Sequence, residues 1–215
     1  MASEVIDMVP LKGKVITGDA LYCQREYSRK VMEAEGDYLV IVKGNQPTLY
    51  EDIELAFAEP VLGEEYRFTE ERGRHGDRQE VRRLWSTTAL SEYLDWPGAR
   101  QVCKIEREVE RKGKVSHDLR YAITSLGEHV GPDRLLKHVR GHWGIENKLH
   151  YVRDVTLGED ASQVRRGSAP QVMAVFRNIL LGILRLMGAT NIAGTVREIG
   201  WKPGEALRIL GLAPP

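Results

Sequence analysis

Apolar and polar positions alternate along this chain with two periods, and the switches between them divide it into blocks. Lys14–Thr17 reads as a short apolar strand, and Asp37–Lys43 is the clearest buried strand, apolar and β-branched along its length. Between them, Tyr22–Gly36 predicts a helix of mixed charge that stops at its glycine. Gly44-Asn45-Gln46-Pro47 breaks the second strand. Thr48, with Glu51 three residues on, then forms a capping-box pattern for a helix running to about Ala58. Ahead of all this, Glu4–Val9 reads as a short helix end stopped by Pro10 and Gly13.

From Pro60 to Leu126 the period becomes two. Tyr66–Thr69 and Val81–Thr88 are strand-like around a polar loop, Glu70–Arg78. Gln101–Val109 and Val115–Thr124 predict the better hairpin, turned by Lys112-Gly113. In it Cys103, Ile105, Arg107 and Val109 alternate on one strand, with Leu119, Tyr121 and Ile123 on the partner. Helical period returns after Gly131-Pro132-Asp133. Ser168 is the expected cap of a further helix, Ala169–Gly188. Its stripe of Val172, Val175, Phe176, Ile179, Leu180, Ile183, Leu184 and Met187 reads as core. Gly194–Pro215 reads as a small helical tail. Strands joined by helices argue an α/β sheet. Two or three strands are too few for a complete one, so Val15, Ile16 and Leu39–Val42 are expected to present an uncovered sheet edge.

Composition narrows the reading only a little. The 215 residues suffice for one sizeable core or one domain with an insertion. Lys and Arg total 31, and so do Asp and Glu, so overall charge says nothing about nucleic acid and any basic surface must be local. Cys23 and Cys103 lie far apart, which suits a reducing cytoplasm and gives no metal-knuckle spacing. The start shows no signal-peptide pattern. Val172–Met187 is interrupted by Arg177, Asn178 and Arg185, as in a buried helix rather than a membrane span.

Candidate chemistry collects in two places. Asp19 follows a strand directly, the usual place for a catalytic acid in an α/β sheet and equally the place of a helix N-cap. The second place is Arg140–Gly167. There His142, Glu146 and His150 recur every four residues along one helix face. Neighbouring pairs can chelate one ion, but all three cannot, because eight residues of helix rise about 12 Å. The HExxH order is absent, and the plain alternative is a half-buried amphipathic helix. We read the helix as bringing one carboxylate, Glu146, to a metal-dependent nuclease-type site, with its basic neighbours meeting nucleic acid. The hairpin tip, with Arg107, Arg111, Lys112 and Lys114, offers phosphate contacts or simple solvation.

Two blocks carry a family resemblance: VITGDALYCQREYSRKVMEAEGDYLVIVKGNQPTLYEDI and HWGIENKLHYVRDVTLGEDASQVRRGSAPQ, with GDRQEVRRLW between them. They resemble the ISAs-type insertion-sequence transposases of bacteria, members of the DDE superfamily. The resemblance covers nearly the whole chain. It implies a partial RNase H-like α/β core with its first strands missing, a β-rich insertion and C-terminal helices. The blocks would be residues 1–59 for the incomplete core, 60–130 for the insertion, 131–190 for the Glu helix and core helix, and 191–215 for the tail.

By the same resemblance Asp19 is the second catalytic Asp and Glu146 the catalytic Glu, and both bind metal. The cofactor would be two Mg²⁺ (or Mn²⁺) ions, held by three carboxylates for in-line phosphodiester displacement. The DNA-binding candidates are Arg140, His142, Lys148, Arg153, Arg165 and Arg166. At the family's Tyr, Arg and Lys positions flanking the Glu stand Val139, His142 and Arg153, and only Arg153 keeps the charge. Asp154, Glu159 and Asp160 also match the pattern, as supports of the Glu helix or as caps. The family's first Asp lies on a strand upstream, and Asp7 does not replace it, so the resemblance implies a truncated copy with little or no catalysis.

The expected partner is DNA, at the terminal inverted repeats of an insertion sequence, with self-association or mixed assembly with full-length transposase, in the cytoplasm. The alternatives are a non-catalytic DNA-binding remnant that interferes with the full-length enzyme, an unrelated zinc hydrolase using His142, Glu146 and His150, and a chain that barely folds.

Overall fold

The computed structural model describes residues 6, 8–60, 62–145, 149–209 and 211–212. The elements in order are β1 (Val15–Gly18), α1 (Arg25–Glu33), β2 (Asp37–Val42), α2 (Pro47–Ala58), β3 (Tyr66–His75), β4 (Arg78–Thr87), β5 (Gln101–Arg111) and β6 (Lys114–Thr124). Four helices follow: α3 (Pro132–Ile145), α4 (Ala169–Leu186), α5 (Ile192–Trp201) and α6 (Pro203–Ile209). They form two compact units, Met1–His142 and Trp143–Pro215.

The first unit is built on one six-stranded sheet of order β1-β2-β6-β5-β4-β3. β1 and β2 are parallel and every other pairing is antiparallel. The region read as an insertion therefore continues the sheet begun by β1 and β2. Of the expected open edge, Val15 and Ile16 do lie on the edge strand β1, but Leu39–Val42 does not, because β6 pairs along it, with Leu39 opposite Thr124 and Val42 opposite Tyr121.

β2 is apolar on consecutive residues because both its faces are covered. Tyr38, Val40 and Val42 pack with Val31 of α1 and Leu49 and Ile53 of α2. Leu39 and Ile41 pack with Leu135, Leu136 and Val139 of α3. The hairpin β5–β6 is split in the same way. Residues directly opposite across a ladder share a face, so Cys103 goes with Ala122 and Ile105 with Arg120, while Tyr121 and Ile123 lie opposite Lys104 and Val102. The two alternating sets read from the sequence thus belong to opposite faces.

Three further local readings are corrected. α1 begins at Arg25 rather than Tyr22, because Ala20–Tyr22 is a separate 3₁₀ turn and Gln24 is extended. α2 begins at Pro47, whose ring is preset for a first helical position, and Thr48 lies inside the first turn rather than capping it. The polar stretch Glu70–Arg78 is mostly strand. Its charges face one another across the ladder, with Glu70 opposite Arg83 and Glu71 opposite Arg82, and the turn needs only Gly76 (φ 61°) and Asp77. Glu80 lies at the centre of this charge lattice, bonded to Arg107, Arg82 and Arg78. Burial pushes its carboxyl up, but the three guanidinium groups outweigh burial and hold it below the usual range.

In the second unit α4 was expected to be core, yet within the unit only Leu181 and Leu184 are buried, against Ile192, Leu149 and Val152. Val172, Val175, Phe176, Ile179 and Leu180 are exposed. The cause is the small size of the elements beside it: α5, of 10 residues, covers one stripe of an 18-residue helix. By length and composition α4 is the one described helix able to cross a membrane. However, Arg177 on its covered side donates to the Leu157 carbonyl at 3.2 Å, as in a helix packed within a protein.

Candidate active site at the end of the parallel strands

β1 ends in Gly18, and nothing larger fits there. A Cβ on Gly18 would come within 2.9 Å of Tyr22 Cβ and 3.3 Å of Val40 Cγ1. The glycine lets the chain turn tightly at the strand's carboxyl end and brings Asp19 out beside it. Asp19 fills the capping role that the sequence offered and stays accessible. It is the N-cap of the 3₁₀ turn, its Oδ1 accepting the Ala20 N–H at 2.7 Å, and its side chain is still 56% exposed. The Ala20 amide, acting against burial, together with Lys43 and His142 holds this carboxyl below its ordinary range. Asp19 is thus an ionised, accessible carboxylate at neutral pH.

Lys43 reaches the site from the end of β2, which lies beside β1 and runs parallel to it. Its Nζ is 3.3 Å from Asp19 Oδ1. Asn45 Nδ2 donates to the Ala20 carbonyl at 2.7 Å, and Gln46 Nε2 donates to the Cys23 carbonyl at 3.0 Å. From the sequence this run reads only as a strand break. The available signal was its position: in an α/β sheet the loop following the neighbouring parallel strand opens at the same end.

α3 is anchored on the opposite face of the sheet by Leu135 and Leu136, both 0% exposed. Near its carboxyl end His142 Nδ1 lies 3.3 Å from Thr17 Oγ1 on β1, so the structure brings His142 to the strand that presents Asp19. Glu146 and Lys148 lie outside the described residues, as do Asn147 and Asp7. The structure therefore places one of the two predicted catalytic carboxylates.

The other predicted positions divide into those engaged by a carboxylate and those exposed. Arg140, on α3, is ion-paired with Glu71. Arg153 lies in a π-helical turn, Val152–Thr156, and grips Glu159 with both arms of its guanidinium, at 2.7 and 2.5 Å. Each partner shifts the other: Arg153 draws the Glu159 carboxyl down, and Glu159 raises Arg153. Glu159 thus acquires a role the sequence left open, as the clamp of Arg153. Arg165 and Arg166 are exposed, in the segment leading to α4. His150 is exposed. Among the described residues no three His, Cys, Asp or Glu side chains gather to hold a metal. Asp19, among the described residues, fits such a role as one ligand: a hard, ionised oxygen that already has a cation, the Lys43 ammonium, beside it.

A six-stranded mixed sheet with helices on both faces, and an ionised carboxylate presented where its two parallel strands end, defines an α/β domain with an acidic candidate site. The chain belongs to the DDE transposases: the family described as "Transposase DDE domain" matches residues 1–183. It is 33% identical over 193 residues to "Putative protein YbfL" of Escherichia coli K12, an alignment covering 84% of this chain and 50% of that protein. It is 32% identical over 205 residues to "Putative transposase YncI" of Escherichia coli O157:H7, covering 91% and 51%. With the "H repeat-associated putative transposase YhhI" of Escherichia coli K12 it shares 33% identity over 193 residues, 84% of this chain and 50% of that one. The chain thus spans about half the length of these relatives. No solved structure matches it.

Proposed function

We propose that this chain is part of the catalytic domain of an ISAs-type insertion-sequence transposase, acting on the terminal inverted repeats of its element in the bacterial cytoplasm. The observation that supports this reading most is Asp19: an ionised carboxylate at the carboxyl end of a parallel strand, in a chain of the DDE family. In this proposal Asp19 and Glu146 are the residues that hold Mg²⁺ or Mn²⁺. Bound there, the metal would supply Lewis acidity for phosphodiester cleavage and strand transfer.

The chain's own basic residues then bind and orient the DNA backbone. Arg165 and Arg166, exposed, are the phosphate contacts; Lys148 and His142 serve beside the Glu. Arg140 and Arg153 are already engaged by Glu71 and Glu159, so they set the local structure first and meet phosphate second.

The test is DNA affinity as a function of salt, on fragments with and without the inverted repeats. Each phosphate contact contributes a slope of about −0.9 in log K against log salt. The double variant Arg165→Ala/Arg166→Ala is expected to flatten the slope by about two, while Arg153→Ala mainly lowers the melting temperature. Binding indifferent to salt and to the inverted repeats would refute the reading.

A further inference from the structure

The loops that follow β1 and β2 are joined by three side-chain contacts, all supplied by the β2 loop. Ala20 is held at both its polar groups: its N–H donates to Asp19 Oδ1 at 2.7 Å, and its carbonyl accepts Asn45 Nδ2 at 2.7 Å. One turn later the Cys23 carbonyl accepts Gln46 Nε2 at 3.0 Å. Ala20–Tyr22 is a single 3₁₀ turn, a short element with poor hydrogen-bond geometry of its own. Leu21, in its middle, is 76% exposed and does not anchor it. Ala20 itself is buried, and the peptide that aims the Asp19 carboxylate is braced in addition by the β2 loop. Lys43 completes the set, with its ammonium 3.3 Å from Asp19 Oδ1.

This ion pair is half exposed at both ends, 53% and 56%. Such pairs contribute little to folding, so a stability role does not account for Lys43. Its effect falls on the carboxylate it faces.

We propose that Lys43, Asn45 and Gln46 are the positioning residues of Asp19: the two amides fix the turn that aims the carboxylate, and the Lys43 ammonium holds the cation place beside it until a divalent ion displaces it. This rests on the reading of Asp19 as a metal-binding carboxylate. It implies opposite effects from neighbouring substitutions. Removing the ammonium removes both a competitor and a repelling charge, and so strengthens binding of a divalent ion. Removing an amide brace lets the carboxylate wander and weakens binding.

The experiment is Mn²⁺ binding to the purified chain, followed by the loss of the free-ion signal in electron paramagnetic resonance. Lys43→Met is expected to bind Mn²⁺ about tenfold more tightly than the wild type, and Lys43→Arg about as the wild type does. Asn45→Ala and Gln46→Ala are expected to bind it about tenfold more weakly. A general loss of structure would weaken all four and cannot produce this pattern of signs. The inference is overturned if Lys43→Met binds no more tightly than the wild type, or if neither binds at all. It is also overturned if the amide variants bind as the wild type does. Asp19→Asn separates the two levels: if it abolishes binding while Lys43→Met changes nothing, only the positioning role fails. If Asp19→Asn leaves binding intact, the metal-ligand reading of Asp19 fails with it.

Discussion

If the proposed function holds, Asp19→Asn introduced into a full-length transposase that carries this chain lowers its Mg²⁺-dependent cleavage of insertion-sequence ends by about a thousandfold. The substitution is nearly isosteric. The amide oxygen of Asn can still accept the Ala20 N–H, and the side chain is 56% exposed, so the turn and the fold survive. What disappears is the negative charge, which the Ala20 amide, Lys43 and His142 keep in place at neutral pH. A metal-holding carboxylate stabilises the charge developing in phosphodiester displacement by several kcal/mol, and about 4 kcal/mol corresponds to a thousandfold in rate. Glu146→Gln is expected to fall equally far, and the double variant little further, because two ligands of one site do not act additively. DNA affinity should hold or rise, since a negative charge is removed from the proposed DNA-facing surface. The check is a single-turnover cleavage rate beside a binding isotherm for each variant. Cleavage within a few-fold of wild type would remove Asp19 from the chemistry.

The largest expected effect on folding comes from a residue outside the site. Gln101, at the start of β5, is 2% exposed. Its Nε2 donates to the carbonyls of Leu126, Gly127 and Val130 at 3.0, 2.8 and 3.3 Å, and its Oε1 accepts Arg67 Nη2 at 2.8 Å. One side chain thus satisfies the backbone of the loop from β6 into α3, the helix that carries His142 and leads to Glu146. Gln101→Leu keeps the volume but leaves these carbonyls without that donor in a buried place. The expected cost is about 3 kcal/mol, or roughly 6–12 °C in melting temperature for a domain of this size. Thermal unfolding followed by circular dichroism measures it. A change below about 2 °C would mean that water replaces the amide.

What the sequence makes legible depends on whether a residue's role is local. β2 declares itself because a strand covered on both faces must be apolar at every position. The Lys112-Gly113 turn declares itself because both residues take positive φ, 52° and 71°. Asp19 could be placed at a strand end from a few residues, though not told apart from a cap, and the structure shows that it caps a turn while remaining accessible. β3 and β4 run beyond the strand pattern visible in the sequence because what stabilises them is a cross-strand lattice of Glu and Arg, invisible until the register is known. Gln101, Asn45 and Gln46 act through carbonyls distant in sequence, and a polar side chain that satisfies a remote backbone has no local signature. The error at α4 runs the other way: its apolar stripe shows what the helix is able to bury, whereas its exposure is set by the neighbours that actually cover it.

In the proposed function Asp19 and Glu146 hold metal together. Fe²⁺ tests it most directly, because it occupies oxygen-rich Mg²⁺ sites and, with ascorbate and peroxide, generates radicals that cut the polypeptide around it. Mass spectrometry of the fragments is expected to place cuts in two segments, one beside Asp19 and one beside Glu146, both competed away by Mg²⁺ and both lost in Asp19→Asn. Cuts confined to one of these segments, or persisting in Asp19→Asn, would contradict a shared site.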